Sequence, residues 1–368
     1  MKDGYNKMRT IAIVGIQGLP NNYGGFETLS DYLVKHLESK IDITVYCSNE
    51  VEKRQDCSFN GAKLKYINIS SHGAKGIIYD SIALIDAVNH NFDIILILGF
   101  GAGFVMPFLS SKTKKKIILN FGGLDWKRDK WGKITQKVIK FCEKKLVTNA
   151  NRVISDNRYI QEYVSKTYNK ESALIAYGGD QVSYQFITED MSMKYPFLNS
   201  MYAFEVTRIQ PDNNIDMLIS AFMKLDCIPL VIVGNWKSSQ YGRETKAKYC
   251  NTKNLILLDA IYDQKTLNVL RGNCYLYVHG HSAGGTNPSL CEAMYLGLPI
   301  FAFSNGYNQA TTYDKALYFN NDEELKELVL NTPKSKLSEM KTELKSIAEK
   351  HYRWDFIANE YLKEFVKI

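Results

Sequence analysis

The sequence has little of what marks extracellular, fibrous or membrane-spanning proteins. Its seven cysteines are scattered and form no C-x-x-C pair, which disfavours a disulfide framework or a cysteine zinc site. Only 8 prolines and 24 glycines occur in 368 residues, so a collagen-like or low-complexity chain is excluded. The longest uncharged run, residues 94–111, is broken by glycines and is shorter than the roughly 20 apolar residues of a spanning helix. No signal-peptide pattern opens the chain, so we expect a cytoplasmic protein.

Positive charge is concentrated in one segment. The net charge is +7, and residues 101–150 hold 12 Lys and Arg residues against 3 acidic residues, with Trp126 and Trp131 among them. A basic patch with tryptophans fits an anionic membrane surface or a polyphosphate ligand, and a solvated lysine-rich helix face would look the same. No nucleic-acid-binding motif accompanies the patch, so we expect no nucleic-acid partner. We expect the basic 112–145 region to contact the inner leaflet, as in a peripheral membrane protein.

Short apolar runs alternate with amphipathic stretches from end to end. Runs such as 94–98 and 229–233 consist of Ile, Leu, Val and Pro, which is typical of parallel strands that are buried on both faces. Residues 178–200 are polar and without a clear period, and the alternation restarts after them. The pattern predicts an α/β protein with two doubly wound units. Because ligands of such sheets bind beyond the carboxyl ends of the strands, we expect a site in the cleft between the units.

A first glycine loop follows the first predicted strand. Its glycines stand at positions 15, 18, 24 and 25, directly before a predicted helix. Glycine loops that open a helix present free amides to phosphates, so Gly18, Gly24 and Gly25 are candidate ligand contacts. The spacing is neither G-x-G-x-x-G nor a Walker A loop, which disfavours a dinucleotide site. A tight turn without a ligand remains the alternative.

A second glycine loop, within residues 279–294, is the sharpest feature of the chain. Asn287 is placed to cap a helix, and Gly284, Gly285 and Thr286 precede it. A diphosphate can approach the amides at the positive end of that helix. Glu292, one to two turns further on, can accept hydrogen bonds from a ribose diol.

Two further groups of polar residues surround the predicted strand ends. Arg208 follows a strand on the side where a ligand would bind, where its guanidinium can neutralise a leaving diphosphate. His279 and His281 fit polar lining of the site, or an H-x-H zinc pair for which no third ligand is evident. A surface arginine is the alternative for Arg208.

Several segments resemble one family. Two of them are similar to the C-terminal domain of retaining GT-B glycosyltransferases of the family four type, and four are similar to the bacterial rhamnosyltransferase-like branch of polysaccharide biosynthesis. The first two are Phe204–Asn214 and Gly284–Met294, and the other four are Gly18–Thr28, Gly123–Trp131, Ile154–Tyr163 and Ile175–Asp180.

The resemblance implies a GT-B fold. It places an acceptor-side Rossmann-like domain at 1–185, a nucleotide-sugar-binding domain at 200–350, and a helix at 351–368 that returns to the N-terminal domain. Phe356, Tyr361, Leu362 and Phe365 would form the apolar stripe of that helix.

The implied reaction moves a hexosyl group, rhamnose or another deoxyhexose, from a dTDP- or UDP-linked sugar to a lipid-diphosphate-linked saccharide in capsule, O-antigen or cell-wall synthesis. It proceeds with retention and without a cofactor or metal. Arg208, Asp125 and Glu292 are the implied catalytic residues. The donor contacts are Gly18, Gly24, Gly25, Gly284, Gly285, Thr286, Asn287 and Glu292.

The chain departs from the family pattern at three positions. Gly284 stands where the wider superfamily has a sugar-contacting glutamate, Asn213 where it has a lysine, and Gly122 where an acid is frequent. Two rival functions stay open: a nucleotide-sugar 2-epimerase of GT-B fold and a non-catalytic nucleotide-sugar-binding scaffold. A dehydrogenase is disfavoured by the loop spacing.

Overall fold

The computed structural model describes residues 8–21, 24–50, 56–128 and 131–368, which form two compact units. The first unit comprises the described residues up to Lys127 together with 131–176 and 354–368, and the second comprises Arg128 and 177–353. The chain therefore leaves the first unit after Ala176 and returns to it at Trp354. No helix within the described ranges combines the length and apolarity needed to cross a membrane.

The first unit is built on a sheet whose described strands number eight. Their order is β3-β4-β2-β1-β5-β6-β7-β8, and every pair is parallel except the short hairpin β3–β4. The central strands are buried on both faces because helices cover both sides, which explains their Ile- and Leu-rich sequences. The strands are β1 Thr10–Val14, β2 Asp42–Ser48, β3 Ser58–Phe59, β4 Ala62–Ile67, β5 Ile94–Leu98, β6 Ile117–Phe121, β7 Arg152–Ser155 and β8 Ala173–Leu174.

Helices of the first unit follow the strands in regular crossovers. Short 3-10 segments at 101–104, 106–108 and 125–127 connect them. The helices are α1 Gly25–Leu37, α2 Ala74–Asn89, α3 Ser111–Lys114, α4 Lys133–Asn149 and α5 Arg158–Tyr168.

The second unit repeats the same winding on a sheet of six described strands. All neighbours are parallel, and the order is β11-β10-β9-β12-β13-β14. The chain therefore winds outward from β9 in one direction and from β12 in the other. The strands are β9 Ala203–Val206, β10 Leu230–Val233, β11 Leu255–Leu258, β12 Leu276–His279, β13 Ile300–Phe303 and β14 Leu317–Phe319.

Eight helices lie in the described part of the second unit. Most of them begin at a side-chain cap, such as Asn287 before α10 or Asn321 before α12. They are α6 Glu189–Lys194, α7 Ile215–Met223, α8 Gln240–Tyr249, α9 Gln264–Gly272, α10 Pro288–Tyr295, α11 Gly306–Thr312, α12 Asp322–Asn331 and α13 Lys334–His351.

The last helix, α14 Trp354–Val366, belongs to the first unit. It packs on α1, where the rings of Trp354 and Tyr32 stack with centroids 4.4 Å apart. Its buried face includes Ile357, Tyr361 and Phe365, whereas Phe356 is 46% exposed. The apolar stripe predicted for this helix is thus correct for Tyr361 and Phe365 and wrong for Phe356, because Phe356 lies one residue off the buried face.

The predicted fold class is confirmed: both units are Rossmann-like parallel sheets covered by helices. The strands at 94–98 and 230–233 lie where the apolar runs predict them. Helix α8 was not predicted. Its sequence is almost wholly polar, and only Gly242 and Thr245 are buried, so it carries no apolar stripe.

Candidate functional site

The centre of the second sheet is the point where the strand order reverses. β9 and β12 are neighbours there, and the chain leaves them toward opposite edges. Side chains that follow the carboxyl ends of these two strands therefore meet at a topological switch point, where open α/β sheets bind ligands. Arg208 comes two residues after β9, and His281 comes two residues after β12.

Gly280, the first residue after β12, lies too close to the backbone of Asn213 for any side chain to fit. A Cβ atom at Gly280 would lie 2.3 Å from the carbonyl oxygen of Asn213. The Gly280 carbonyl in turn accepts a 2.8 Å hydrogen bond from Nδ2 of Asn214. The segments after β9 and β12 are therefore packed backbone to backbone.

Further hydrogen bonds fix the next residues of this loop. Ser282 donates from its amide and its hydroxyl to the carbonyl of Asp212, at 3.0 and 2.8 Å. The His281 carbonyl accepts from the side-chain amides of Asn305 and Asn308, at 2.7 and 3.0 Å. The start of the loop is thus held from three directions before any ligand arrives, which is the preorganisation that a binding site needs.

The glycine segment that follows is open. Gly284 has φ +151°, and a Cβ built on it meets no atom within 4 Å. Thr286 is buried, and Asn287 accepts a 2.9 Å hydrogen bond from the Ser289 amide at the start of α10. A ligand can therefore approach the backbone at Gly284 and the positive end of α10.

Arg208 lies beside the start of this loop. Its side chain is half-buried, and within the described ranges its guanidinium forms no hydrogen bond or ion pair. Burial lowers the pKa of His281 well below its usual range, and the positive charges of Arg208 and Arg128 add to that effect. Arg128 pairs with Asp212 at 3.3 Å, whereas the guanidinium of Arg208 has no carboxylate partner among the described residues.

Asn213, which replaces the family's lysine, is buried and donates from Nδ2 to the Arg208 carbonyl. It therefore holds the backbone that carries Arg208.

Glu292 is engaged inside the protein. One carboxylate oxygen accepts from Nε2 of Gln181, and the other is paired with Nη1 of Arg271. Arg271 is fully buried, while the Glu292 side chain keeps 14% of its surface exposed. Each carboxylate oxygen has a second lone pair, so Glu292 can still accept from a ligand hydroxyl.

A buried polar cluster lies directly below the loop. Ligand atoms of Glu205, His279 and His281 lie within 4.8 Å of one another. Burial raises the pKa of Glu205 to about 8 and lowers the pKa of His279 to about 3. Glu205 is the third potential metal ligand that the H-x-H pair lacked in the sequence.

In the first unit, the first glycine loop leads from β1 into α1. Gly18 and Gly24 have φ +158° and +129°, and Gly25 is the first residue of α1. Glu27 in the first turn accepts a 2.9 Å hydrogen bond from the Gln17 amide, which closes the loop. Residues 22 and 23 of the predicted motif lie outside the described residues.

Phe26 of α1 explains one departure from the family pattern. A Cβ atom at Gly122 would lie 2.7 Å from the Phe26 ring, so an acid does not fit there. Asp125, the nearby carboxylate, begins the 3-10 turn at 125–127 and is half-buried.

Asp80 is a half-buried acid of the first unit. Burial, with the Glu27 charge, raises the Asp80 pKa to about 8.

The predicted site residues thus divide between the units. Those of the second unit are Arg208, Gly284, Gly285, Thr286, Asn287 and Glu292, and those of the first are Gly18, Gly24, Gly25 and Asp125.

Glu205 and Arg271 were missed by the sequence analysis. An acid inside the apolar run AFEV was a usable signal for Glu205, since such strands rarely carry a charge. The sequence offers no comparable signal for the pairing of Arg271 with Glu292.

Solved structures share this fold over nearly the full length. Sucrose-phosphate synthase from Thermosynechococcus elongatus superposes with a TM-score of 0.79 at 14% identity, covering 98% of both chains. HepE of Anabaena in complex with UDP-glucose has a TM-score of 0.75 at 14% identity, covering 98% of this chain and 100% of HepE. A glycosyltransferase from Rickettsia africae has a TM-score of 0.70 at 13% identity, covering 99% of both chains. The two Rossmann-like units and these neighbours define the GT-B class.

Family relationships extend this assignment. Residues 189–351 match the family "Glycosyl transferases group 1", and residues 8–180 match a domain of unknown function, DUF1972. No curated protein matches the chain in sequence. Residues 189–351, most of the second unit, thus resemble the group 1 glycosyl transferases, and together with the GT-B neighbours this match supports a glycosyltransferase activity.

Proposed function

We propose that this glycosyltransferase transfers a hexosyl group, rhamnose or another deoxyhexose, from a dTDP- or UDP-linked sugar to a lipid-diphosphate-linked saccharide. The product would be a repeat of capsule, O-antigen or cell-wall polysaccharide. The reaction as proposed retains the anomeric configuration and needs no cofactor, and its leaving-group chemistry needs no metal. The observation that carries the donor assignment is the guanidinium of Arg208, which has no partner within the described ranges and lies beside an open, preorganised glycine loop at the switch point of the second sheet.

A nucleoside diphosphate suits this arrangement for electrostatic reasons. The leaving diphosphate gains negative charge as the glycosidic bond breaks, and donors that are already in place stabilise that charge best. Arg208 offers a planar set of N–H donors, and the amides near Gly284 and the N-terminus of α10 offer more. Among the residues that the structure describes here, Asp212 pairs with Arg128 and leaves the positive charge of Arg208 for a ligand.

The nucleoside would be held by α10. Glu292 keeps partial exposure, and its oxygens retain lone pairs beyond those used by Gln181 and Arg271. A ribose diol can therefore be accepted without breaking the buried ion pair. UDP-glucose bound to HepE and UDP-2-fluoro glucose bound to an E. coli trehalose-6-phosphate protein support a nucleotide sugar as the donor class.

Retention follows from a path that needs no protein nucleophile. In this proposal an oxygen of the departing diphosphate takes the proton of the attacking hydroxyl on the same face of the sugar. Asp125 in the first unit would orient that hydroxyl. The Gly18, Gly24 and Gly25 backbone would allow a sugar to approach α1 closely.

An exposed apolar face of the first unit supports a lipid-linked acceptor. Helix α2 exposes three isoleucines on one side of the helix, at positions 78, 82 and 85. The 3-10 segments expose two phenylalanines, and α4 exposes an isoleucine and a phenylalanine that are seven residues apart. Both helices pack against the segment 101–104, and the rings of Phe104 and Phe141 lie 5.6 Å apart. The members of this apolar face are Ile78, Ile82, Ile85, Phe104, Phe108, Ile134 and Phe141.

Lysines surround the apolar face. Phe108 is 87% and Ile134 82% exposed, which is costly in water unless another surface covers them. Among the exposed lysines, Lys137 follows Ile134 by three residues on α4, and Lys144 follows Phe141 by three residues, so each lies beside an exposed apolar side chain. Apolar side chains bordered by lysines match the boundary between acyl chains and anionic headgroups, so we assign this face to the inner leaflet.

Vesicle sedimentation tests the membrane assignment. We expect the protein to bind phosphatidylserine-containing vesicles, and we expect added salt to weaken that binding. A Phe108→Ser, Ile134→Ser double variant should bind at least tenfold more weakly, since each side chain buried in the bilayer contributes about 1.5–3 kcal/mol. Met193→Ser, an exposed apolar site in α6, is the matched control. Equal binding by the double variant would remove the support for this face.

A panel of nucleotide sugars tests the catalytic proposal. We expect a dTDP- or UDP-linked deoxyhexose to raise the melting temperature of the purified chain, and transfer to a lipid diphosphate saccharide to follow. Release of a free 2-epimer without an acceptor would favour an epimerase. Donor binding without hydrolysis or transfer would favour a scaffold.

A further inference from the structure

The Glu205–His279–His281 cluster is not used by the proposed transfer. Glu205 lies in β9, His279 ends β12, and His281 begins the glycine loop. Glu205 and His279 are completely buried, and His281 is half-buried. The cluster therefore joins the two central strands of the second sheet to the loop assigned to the donor.

The cluster contains polar atoms that the protein leaves without partners. Within the described residues, Oε2 of Glu205, both ring nitrogens of His279 and Nδ1 of His281 are buried and form no hydrogen bond. A buried polar atom without a partner costs about 1–3 kcal/mol, so four of them in one place are unusual in a structural core. A bound cation that contacts Oε2 of Glu205 and one ring nitrogen of each histidine would account for three of the four.

We propose that this cluster binds a divalent transition-metal ion such as Zn²⁺. Two imidazoles and one carboxylate are a ligand set that zinc accepts, with a water as the fourth ligand. Glu205 is already oriented for this role, because its Oε1 accepts a 3.2 Å hydrogen bond from the Gly280 amide while Oε2 remains free. Ligand atoms within 4.8 Å would draw together by about 1 Å to form bonds of about 2.0–2.2 Å.

One movement completes the coordination shell. The rings of His279 and His281 are stacked, with centroids 4.5 Å apart and an angle of 10° between them, so their lone pairs do not yet converge. His279 is fixed in β12, so His281, which follows the strand, is the side chain that would turn. Metal binding would thus fix His281 and, through it, the beginning of the loop at 281–286. Its role is structural and separate from the leaving-group chemistry.

The test uses the full-length protein, stripped with a chelator and then dialysed against Zn²⁺. We expect one equivalent of tightly bound zinc and a higher melting temperature. Glu205→Gln and His279→Gln should each weaken zinc binding at least tenfold, while exposed His72→Gln should not change it. His281→Gln, a substitution in a half-buried loop residue, keeps the test valid if the buried variants fail to fold.

Co²⁺ distinguishes this site from adventitious thiols. Exposed Cys57, Cys227 and Cys250 can also bind metals. Cobalt at the proposed site should give ligand-field bands without a thiolate-to-cobalt charge-transfer band, and His281→Gln should abolish them. The proposal would be overturned if wild type binds less than one equivalent of zinc, or if wild type and the three cluster variants bind zinc equally. Neither outcome bears on transfer activity.

Discussion

The pairing of Glu292 with Arg271 gives a prediction about stability that can be separated from catalysis. Arg271 is completely buried, and two of its guanidinium nitrogens, Nε and Nη2, have no partner among the described residues. The carboxylate of Glu292 is therefore the main compensation for this buried charge. Glu292→Gln preserves the volume and removes only the negative charge, so it leaves a buried guanidinium without a counterion.

Breaking a buried ion pair from one side costs about 3–5 kcal/mol, whereas replacing both partners by uncharged groups is often neutral. For a unit of this size, about 2–4 °C of melting temperature is lost per kcal/mol, so Glu292→Gln should lower the melting temperature by about 6–20 °C. Arg271→Met should cost less, because partly exposed Glu292 can still reach water. The double variant should recover most of the loss.

Differential scanning calorimetry and urea unfolding of the four proteins complete this double-mutant cycle. Additive losses in the double variant, or a Glu292→Gln protein as stable as wild type, would refute the argument that the pair compensates a buried charge. Activity then has to be compared at a temperature where all four are folded.

Three further perturbations follow from buried contacts. Folding raises the pKa of Asp80 to about 8, so its protonated form favours the folded state at low pH, and this contribution is lost as pH rises toward 8. The slope is at most about 1.4 kcal/mol per pH unit. Asp80→Asn should therefore flatten the stability curve measured by urea unfolding between pH 5 and 8, and an unchanged curve would contradict this. Gly280→Ala places a methyl group 2.3 Å from the Asn213 carbonyl oxygen, which should push apart the two backbone segments that carry the site. Donor affinity measured by calorimetry should therefore fall at least tenfold. Wild-type affinity in this variant would show that the backbone contact is dispensable. Trp354→Ala removes a fully buried ring from α14 and should lower the free energy of unfolding by about 3–5 kcal/mol. Limited proteolysis of the C-terminal helix should become faster, and an unchanged rate would contradict this role.

Much of the fold was predictable because parallel strands buried on both faces need continuous apolar sequences. Ile94–Leu98 and Leu230–Val233 show this directly. Helix α8 was not predictable in this way, since a surface helix with a polar sequence is stabilised by its Ser239 cap and local pairs rather than by an apolar stripe. Phe356 shows the remaining limit: a helical period identifies a stripe, but an error of one residue moves a side chain from the core to solvent.

The positions of some candidate site residues were predictable from the order of the elements. Gly284 precedes a capped helix and Arg208 follows a strand, as predicted, while their roles in binding stay predictions. The partners of Glu292 were not predictable, because Gln181 and Arg271 come from segments that meet it only in the folded unit. The same holds for Glu205, whose distance to His279 depends on the pairing of β9 with β12.

Titration calorimetry of UDP and dTDP binding to the full-length chain tests the central claim most directly. If Arg208 and the open loop hold the diphosphate, Arg208→Ala should weaken binding at least tenfold, and Gly284→Ala should weaken it as well by placing a methyl group in the ligand's space. Arg158→Ala, an exposed arginine of α5, and Gly73→Ala, another open glycine with positive φ, should bind as wild type. Wild-type affinity in the Arg208→Ala and Gly284→Ala proteins would contradict the account.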